Sequence, residues 1–256
     1  MPPLRLGIVG KGGVGKTTVA GLIARAYVAR GRQVVAIDTD SNPNLGLSLG
    51  LTLAETESIP VLPRSVIVGS GGSTTSERLV AEYGRPTPAG ATLLSAIRVA
   101  EAGAGCTCGG HATVRGMLAD ALSDVDVVLV DMEAGLEHLS RSGGTLAYAD
   151  VLLVVCEPTR KSVLTATRTA ALADELGIPA TVAVGNKAQS SADAEFFAAT
   201  LNENGLRLAA VLPFDPAIAK ADRAGNVAIS AVEPGLAAAV DQILDAVENT
   251  RNAAVR

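Results

Sequence analysis

The feature that most constrains the fold is a glycine-rich segment near the start of the chain. It reads Gly10-Lys11-Gly12-Gly13-Val14-Gly15-Lys16-Thr17 and matches the pattern G-x-x-x-x-G-K-[ST]. It follows an apolar run and precedes a run of good helix formers, which is the context that this pattern requires. Its glycines allow successive backbone N–H groups to turn toward one anion, and the helix N-terminus adds a favourable dipole. We therefore predict a phosphate loop at residues 10–17.

Two side chains of the phosphate loop have predictable chemistry, and a third is unusual. Lys16 is expected to place its charge on the β and γ phosphates of a nucleotide, and the Thr17 hydroxyl to bind magnesium. The predicted ligands are therefore ATP or ADP with Mg²⁺. Lys11 is unusual because a phosphate loop needs no charge there, and a lysine at the loop's start cannot easily fold back onto its own nucleotide. The alternative for Lys11 is a solvated loop lysine.

Short apolar runs rich in Val, Ile and Leu alternate with helical patterns along the 256 residues. This alternation is typical of a mostly parallel sheet covered by helices on both faces, so we predict one doubly wound α/β domain over residues 1–256. The predicted strands are Leu4–Val9, Gln33–Asp38, Val66–Gly69, Ala91–Val99, Val125–Asp131, Val151–Cys156, Ala180–Asn186 and Leu206–Leu212. The predicted helices are Lys16–Arg30, Thr113–Ser123, about Leu136–Leu146, Thr159–Leu176, Ala192–Asn202 and Leu236–Asn249. The segment at about 53–112 contains several prolines and glycine runs, and is expected to be irregular and mobile.

Composition excludes some partners. The net charge of -5 and an aromatic content of only 2% argue against nucleic-acid binding. The chain shows no signal-peptide pattern at its start and no apolar run of ~18 residues, so we expect a cytoplasmic protein with no membrane partner.

Three carboxylates are expected near the phosphates. The second predicted strand ends in Asp38-Thr39-Asp40, and a later apolar strand ends in Asp131. Ligands bind at the carboxyl ends of parallel strands in open α/β sheets, which places Asp38, Asp40 and Asp131 at the ligand crevice. The alternative is that they are solvated strand-end acids.

Cysteines provide a separate indication. Cys106 and Cys108 lie in a glycine-rich stretch ahead of a predicted helix, whose N-terminus favours the metal-binding thiolate. Two thiolates are an incomplete site, and a four-sulfur site requires the same pair from a second subunit. The pair could also be incidental. His111 is either an additional ligand or a solvated loop residue, and Cys156, at the end of an apolar run, is most simply a core residue.

The segment from Lys11 to Thr18 resembles the deviant Walker A motif of the family that includes the nitrogenase iron protein and the septum-positioning, plasmid-partition and arsenite-pump ATPases. The resemblance implies that Lys11 reaches across a homodimer to the partner's nucleotide. It implies that Asp38 belongs to the magnesium shell and that Asp131 holds a magnesium-bound water. It also implies that Asp40 orients the attacking water, that Asn186 reads adenine, and that Asp215 flanks the base. Thr18 is counted among the nucleotide contacts.

A narrower resemblance rests on the Cys106/Cys108 pair, on Asp131-Met132-Glu133-Ala134-Gly135-Leu136-Glu137-His138-Leu139 and on Glu157-Pro158. Together these look like the CooC-type family of maturation ATPases. The resemblance implies nickel, or zinc in its place, bound between two subunits and delivered to apo carbon monoxide dehydrogenase or another nickel enzyme. The chain departs from that family at Asp40-Ser41-Asn42-Pro43-Asn44, where members often have Asp-Pro-Asp, and residues 52–92 align poorly. The alternatives are a positioning or partition ATPase and an ATP-dependent amidoligase.

Overall fold

The computed structural model describes residues 2–63, 74–98, 108–120, 124–134, 144–223 and 233–254, with only the backbone described at 108 and 109. Within these ranges, eight strands form one sheet in the order β3-β4-β2-β5-β1-β6-β7-β8, parallel except for β3, which runs antiparallel to β4 at one edge. The strands are β1 Leu4–Gly10, β2 Val34–Asp38, β3 Arg85–Pro86, β4 Thr92–Ser95, β5 Val127–Asp131, β6 Val151–Cys156, β7 Thr181–Ala188 and β8 Leu208–Pro213. The predicted fold class, a mostly parallel doubly wound α/β sheet, is confirmed.

Helices cover both faces of the sheet. They are α1 Lys16–Ala29, α2 Leu45–Ser48, α3 Leu53–Glu57, α4 Ser76–Tyr83, α5 Cys108–Ala119, α6 Arg160–Glu175, α7 Ser191–Glu203, α8 Pro216–Arg223 and α9 Pro234–Ala254. Apolar side chains of α1 and α9 pack on one face, and those of α5, α6 and α7 pack on the other. Within the described ranges, no helix has both the length and the apolar character that crossing a membrane requires.

The strands alternate between the two cores with a period of two residues. In β1, Leu6 and Ile8 belong to the core under α1 and α9, whereas Val9 belongs to the opposite core. In β2, Val34 and Ala36 face the first core, and their neighbours face the second. Because successive side chains of a strand point to opposite faces, apolar residues at every position bury the strand on both sides. This explains why the strands read as continuous apolar runs.

Chain order brings the functional segments to one edge. β1 lies between β5 and β6, so its carboxyl end has the end of β5 on one side and the end of β6 on the other. The chain extends from β1 toward β2, β3 and β4 in one direction and toward β7 and β8 in the other. The phosphate loop follows β1 at this reversal of strand order, which is where ligands bind in such sheets.

Several predicted elements differ from the structure. The segment at about 53–112 is irregular in the sequence-based prediction, but α3, α4, β3 and β4 lie within it. Helix α3 begins with a reciprocal capping pair, in which Thr52 accepts from the backbone of Glu55 and Glu55 accepts from the backbone of Thr52. Helix α4 begins with Thr75 accepting from the Arg78 N–H. The prolines and glycines of this region therefore separate short capped helices.

Other boundaries also differ. Helix α5 begins at Cys108, five residues before the predicted start at Thr113, and α2 and α8 are absent from the prediction. The predicted strand Val66–Gly69 lies outside the described residues. So do residues 136–143 of the helix predicted at about Leu136–Leu146, and its remaining residues 144–146 lie outside any helix.

Candidate active site

The phosphate loop adopts a conformation that depends on glycine. Gly13 and Gly15 have φ angles of 82° and 93°, in the left-handed region that residues with a Cβ rarely adopt. A Cβ on Gly15 would also lie 2.5 Å from the Asn186 amide nitrogen, so position 15 has neither the backbone angle nor the space for a side chain. Val14 is buried in the core and anchors the middle of the loop. These features hold the loop in one shape between β1 and α1.

Two lysines of the loop lie in different environments. Lys16 is buried, with its Nζ 3.4 Å from the Lys11 carbonyl oxygen. Burial lowers the pKa of Lys16, while the charges of Asp131, Asp40 and Glu133 act in the opposite direction. Lys11 is exposed at the rim of the site. The structure thus separates a buried cation at the start of α1 from a second cation at the solvent-facing rim.

Beside Lys11 lies a cavity of about 290 Å³. Val9, Gly10, Lys11 and Gly12 line one side, and Ala134, Thr165 and Thr169 line the remainder. The cavity therefore lies between α6 and the side of the phosphate loop that carries Lys11.

Asp38 and Asp131 form a buried pair of carboxylates. They are register partners at the carboxyl ends of β2 and β5, and both side chains are almost fully buried. Asp38 accepts hydrogen bonds from the backbone N–H groups of Leu45 (2.9 Å) and Asp40 (3.0 Å). Burial raises the pKa of both acids, and the charge of Asp38 raises the pKa of Asp131 further. Two buried carboxylates on adjacent strands favour a proton or a metal cation between them.

The residues around this pair fit magnesium. The Thr17 hydroxyl donates to the Asp131 carboxylate, and the Oδ1 atom of Asp131 is buried with no hydrogen-bond partner in the part of the chain that the structure describes. A hydroxyl and carboxylate oxygens are the hard donors that Mg²⁺ prefers, and Mg²⁺ usually keeps several waters and substrate phosphates as its other ligands. The predicted group of Lys16, Thr17, Asp38 and Asp131 is therefore brought together.

The loop after β2 holds the third predicted acid. Asp40 is partly exposed, and its Oδ1 accepts from the Asn42 N–H at 2.9 Å. The adjacent Ser41 donates from its hydroxyl to Glu133 Oε1 at 2.7 Å, which joins this loop to the one after β5. Sequence reasoning singled out neither Ser41 nor Glu133 as a contact. The available signal was that both residues closely follow a strand end.

The residues predicted for the base lie at the ends of β7 and β8. Asn186 donates from its amide nitrogen to the Val14 carbonyl oxygen at 2.8 Å, so this amide contacts the phosphate loop itself. The Phe214 N–H donates to the Ala188 carbonyl at 2.8 Å, which holds the end of β8 beside that of β7. Asp215 is buried and accepts from the Ala217 N–H at 2.7 Å. The adenine contacts of Asn186 and Asp215 remain predictions.

Lys187 is a site residue that the sequence interpretation did not identify. Its Nζ donates to the Gly13 carbonyl oxygen at 2.5 Å, next to the contact between Asn186 and Val14. Two consecutive side chains of β7 therefore hold two consecutive carbonyl groups of the phosphate loop. A lysine directly after a strand-end asparagine was the available signal.

The predicted cysteine site is only partly described. Cys106 lies outside the described residues, and Cys108 is the first residue of α5. The start of α5 lies at the same edge of the sheet as Asp38, because Gly110 packs against the Ala96 carbonyl and the Ala96 N–H donates to the Asp38 carbonyl at 2.8 Å. Within the described residues, no three His, Cys, Asp or Glu side chains form a metal-binding group.

His111, the other candidate ligand, and Cys156, the predicted core cysteine, are both buried. The sequence predicts a solvated His111 if this residue is not a ligand, but it is buried in α5, and its Nδ1 lies 3.1 Å from the Thr145 hydroxyl. The solvated interpretation is wrong because α5 begins early enough to carry His111 into the core. Cys156 is fully buried, and burial raises the pKa of its thiol to about 12, so its prediction as a core residue is confirmed.

Comparison with known proteins gives a consistent result. Residues 8–228 match the model of the CobQ/CobB/MinD/ParA nucleotide binding domain family. The carbon monoxide dehydrogenase accessory protein CooC of Rhodospirillum rubrum is 36% identical over 242 residues, covering 87% of this chain and 88% of that protein. Two solved structures share the fold. The septum site-determining protein MinD of Pyrococcus horikoshii, complexed with Mg-ADP, has a TM-score of 0.68, 19% identity and 99% coverage of both chains. Cobyrinic acid a,c-diamide synthase of Mycobacterium smegmatis, with a bound ATP analogue and magnesium, has a TM-score of 0.67 and 22% identity, covering 96% and 95%.

Proposed function

Because this chain belongs to the CobQ/CobB/MinD/ParA family of nucleotide-binding proteins and is an ATPase of the CooC type, we propose that it is a dimerising metallochaperone. In this proposal ATP binding closes a homodimer, the dimer binds nickel at an intersubunit thiolate site, and hydrolysis releases the metal to a client enzyme. The observation that carries the nucleotide part is the convergence of Lys16, Thr17, Asp38 and Asp131 at the end of the phosphate loop.

The residues of the site have separate roles in hydrolysis. Lys16 binds the β and γ phosphates of ATP, and its charge compensates the charge that develops during phosphoryl transfer. Thr17, Asp38 and Asp131 would hold Mg²⁺ directly or through water, and the cation supplies charge neutralisation on the phosphates. Asp40 orients the attacking water from the loop that Ser41 ties to Glu133. Catalysis in this scheme depends mainly on positioning and on charge.

Dimerisation is proposed from the separation of the two lysines. Lys16 already supplies the buried cation for the chain's own phosphates, whereas Lys11 is exposed at the rim of the site. An exposed cation there can reach the nucleotide of a second copy, where it acts as an arginine finger does in other phosphoryl-transfer enzymes. ATP binding and dimer closure then become coupled.

The metal site is proposed from the place where α5 begins. Cys108 starts this 12-residue helix at the same edge of the sheet as the phosphate loop, and a helix N-terminus favours the thiolate form. Cys106 and Cys108 of two subunits would supply four thiolates for Ni²⁺, or for Zn²⁺ in its place. The CooC relative is named an accessory protein of carbon monoxide dehydrogenase, so we propose that apo enzyme or another nickel enzyme as the cytoplasmic client.

Replacing Lys11 by alanine tests the dimer. We expect Lys11→Ala to bind ATP but to remain monomeric in sedimentation with a non-hydrolysable analogue, and to lose about 10³-fold or more in turnover. Lys220→Ala, which removes an exposed lysine of α8, is the matched control and should behave as the wild type. A strictly monomeric wild-type protein with full turnover that Lys11→Ala leaves unchanged would contradict the proposal.

Nickel titration tests the metal site separately. The expected stoichiometry is one Ni²⁺ per two chains, with tight binding only in the presence of the ATP analogue. Cys106→Ser and Cys108→Ser should each abolish tight binding, whereas Cys156→Ala, which removes the buried core thiol, should leave it intact. One Ni²⁺ per monomer that neither serine substitution affects would exclude the intersubunit site while leaving the ATPase in place.

A positioning or partition ATPase is the second candidate, because MinD shares the fold. Such proteins bind DNA or anionic membrane, which requires a basic surface. Helix α9 instead presents Asp241, Asp245 and Glu248 near Arg30, with the two aspartates 2.9 and 3.0 Å from the guanidinium and Glu248 at 3.8 Å. This acidic face disfavours the candidate. Salt-sensitive binding of the ATP form to DNA or to anionic vesicles would restore it.

A further inference from the structure

Two side chains at the end of β7 donate hydrogen bonds to the backbone of the phosphate loop. Lys187 donates to the Gly13 carbonyl oxygen at 2.5 Å, and Asn186 donates to the adjacent Val14 carbonyl oxygen at 2.8 Å. These contacts join segments more than 170 residues apart in the sequence. They involve carbonyl oxygens only, so the donors act on the backbone of the loop.

The loop needs such donors because of its own shape. When successive N–H groups turn toward one anion, the carbonyl groups between them turn outward and lose the partners that a regular strand or helix would supply. The carbonyls of Gly13 and Val14 are in this position, between the end of β1 and the start of α1. Hydrogen bonds from a charged group are stronger than those between neutral groups, so the Lys187 ammonium is an effective partner.

The backbone of Lys187 supports a built contact. Its φ angle of 62° makes it the only non-glycine residue with a left-handed φ among the residues that the structure describes. Such a conformation is unfavourable for a residue with a Cβ and persists where surrounding contacts hold it. Gly15 fits closely against the same segment, since a Cβ there would lie 2.5 Å from the Asn186 amide nitrogen and 3.8 Å from Lys187 Cε. The loop and the end of β7 are therefore interlocked.

We propose that Lys187 is a positioning residue that holds the phosphate loop in its anion-binding shape without contacting the nucleotide. It preorganises the loop, so that ATP does not have to order it on binding. The inference rests on the proposed function only in requiring that this loop binds ATP. In this proposal, nucleotide affinity depends in part on a residue that is predicted to contact neither the phosphates nor the magnesium ion.

The test compares three ligands. We would measure Kd by calorimetry for ATP, ADP and inorganic tripolyphosphate, each with Mg²⁺, using the full chain and its Lys187→Met and Lys187→Arg variants. Lys187→Met keeps the aliphatic part and removes the donor, and should weaken all three ligands by a similar factor of about ten. Its KM for ATP should rise by the same factor while kcat stays within about twofold. Lys187→Arg should recover most of the affinity, and Lys220→Met, on the surface of α8, should match the wild type.

Other outcomes would overturn the proposal in distinguishable ways. A loss that is larger for ATP than for ADP indicates a direct phosphate contact, and a loss for ATP and ADP that spares tripolyphosphate indicates a base contact. Lys187→Gly provides a check on folding, because glycine accepts the φ angle. This variant should be at least as stable to urea as Lys187→Met and should still bind all three ligands weakly. Wild-type affinity in Lys187→Gly would exclude the proposed positioning role of the Lys187 side chain. If the wild-type chain binds no nucleotide, the proposed ATPase function fails instead.

Discussion

The side chains of Asp38 and Asp131 carry the main electrostatic cost of the site. Both carboxylates are almost fully buried on adjacent strands, and burial raises the pKa of each. Asp38 has backbone donors that favour its charged form, whereas one oxygen of Asp131 has no partner among the described residues. Without a cation, the folded protein therefore retains protons that the unfolded chain releases.

This arrangement predicts that stability falls as pH rises in the absence of magnesium. The folded-state pKa values lie above the unfolded value of about 4, so their contribution is complete below about pH 4 and is lost as pH rises through the raised values. A pKa that differs by one between the folded and unfolded states corresponds to ~1.4 kcal/mol, so we expect the free energy of unfolding to fall by about 1–3 kcal/mol. The measurement is urea denaturation from about pH 4.5 to about pH 8.5 with a chelator.

The matched variants isolate the cause. Asp131→Asn removes one acid of the pair and should flatten the pH dependence, whereas Asp174→Asn, at an exposed position on α6, should not. Excess Mg-ADP should also flatten it, because the cation replaces the proton. A slope that is unchanged in Asp131→Asn would mean that other groups cause it.

Part of the site could be predicted from residue types alone. Lys16, Thr17 and the strand-end acids follow from the phosphate-loop pattern and from the rule that parallel strands present their carboxyl ends to a ligand. The partner of Asn186 could not be predicted, because it depends on which carbonyl groups the loop turns outward. The Lys187 contact was missed for the same reason.

Helix α5 begins where a glycine permits close packing. A Cβ on Gly110 would lie 2.8 Å from the Ala96 carbonyl oxygen and 2.6 Å from Ile97 Cγ1. The glycine therefore allows the first turn of α5 to contact the chain that follows β4. The sequence pattern alone assigns the same glycine to a loop.

Two glycine-to-alanine substitutions should have opposite effects. Gly110→Ala introduces a methyl group into an occupied space and should destabilise the protein by about 1–3 kcal/mol. Gly235→Ala lies in the first turn of α9 with no atom within 4 Å of the added Cβ, and should stabilise it by about 0.5–1 kcal/mol. Chemical denaturation monitored by circular dichroism measures both. Equal effects would show that the close contact at Gly110 has no energetic consequence.

Elements with strong periodicity were predicted better than short ones. Seven of the eight predicted strands overlap strands of the sheet, and α9 buries Leu236, Ile243, Leu244 and Val247 as its apolar spacing indicates. Helices α3 and α4 were missed because prolines and glycines outweighed their capping residues, Thr52 and Thr75. Short helices depend on caps more than on apolar faces, so a search for caps would have found them.

At the scale of the whole molecule, the site joins the two halves of the sheet. The predicted magnesium-binding acids Asp38 and Asp131 lie at the ends of β2 and β5, whereas Asn186 and Lys187 belong to β7 on the other side of β1. The phosphate loop is therefore bonded to the second half of the sheet through β7, and it lies next to the acids of the first half. The doubly wound class could be predicted from the alternation of apolar runs with helical patterns. Which half of the sheet supplies which site residues could not, because that depends on the strand order.

Nucleotide binding should therefore stabilise the entire fold. With Mg-ATP analogue at about 100 times its Kd, the expected gain is ~2.7 kcal/mol, visible as a rise of several degrees in Tm. Lys16→Ala should lose this gain, whereas Lys161→Ala, which removes an exposed lysine of α6, should retain it. Differential scanning fluorimetry provides the measurement. A thermal shift that Lys16→Ala preserves would locate the nucleotide elsewhere.

The interlocking of Gly15 with Asn186 and Lys187 has a consequence for protein engineering. Residues beside the base are the usual targets for changing which nucleotide an enzyme accepts. In this chain Asn186, which is predicted to contact adenine, also supports the loop that binds the phosphates, together with the adjacent Lys187. Libraries that vary positions 186 and 187 should therefore yield variants in which altered nucleotide selectivity and weaker phosphate binding appear together. Compensating substitutions within the loop itself would be needed to separate these two effects.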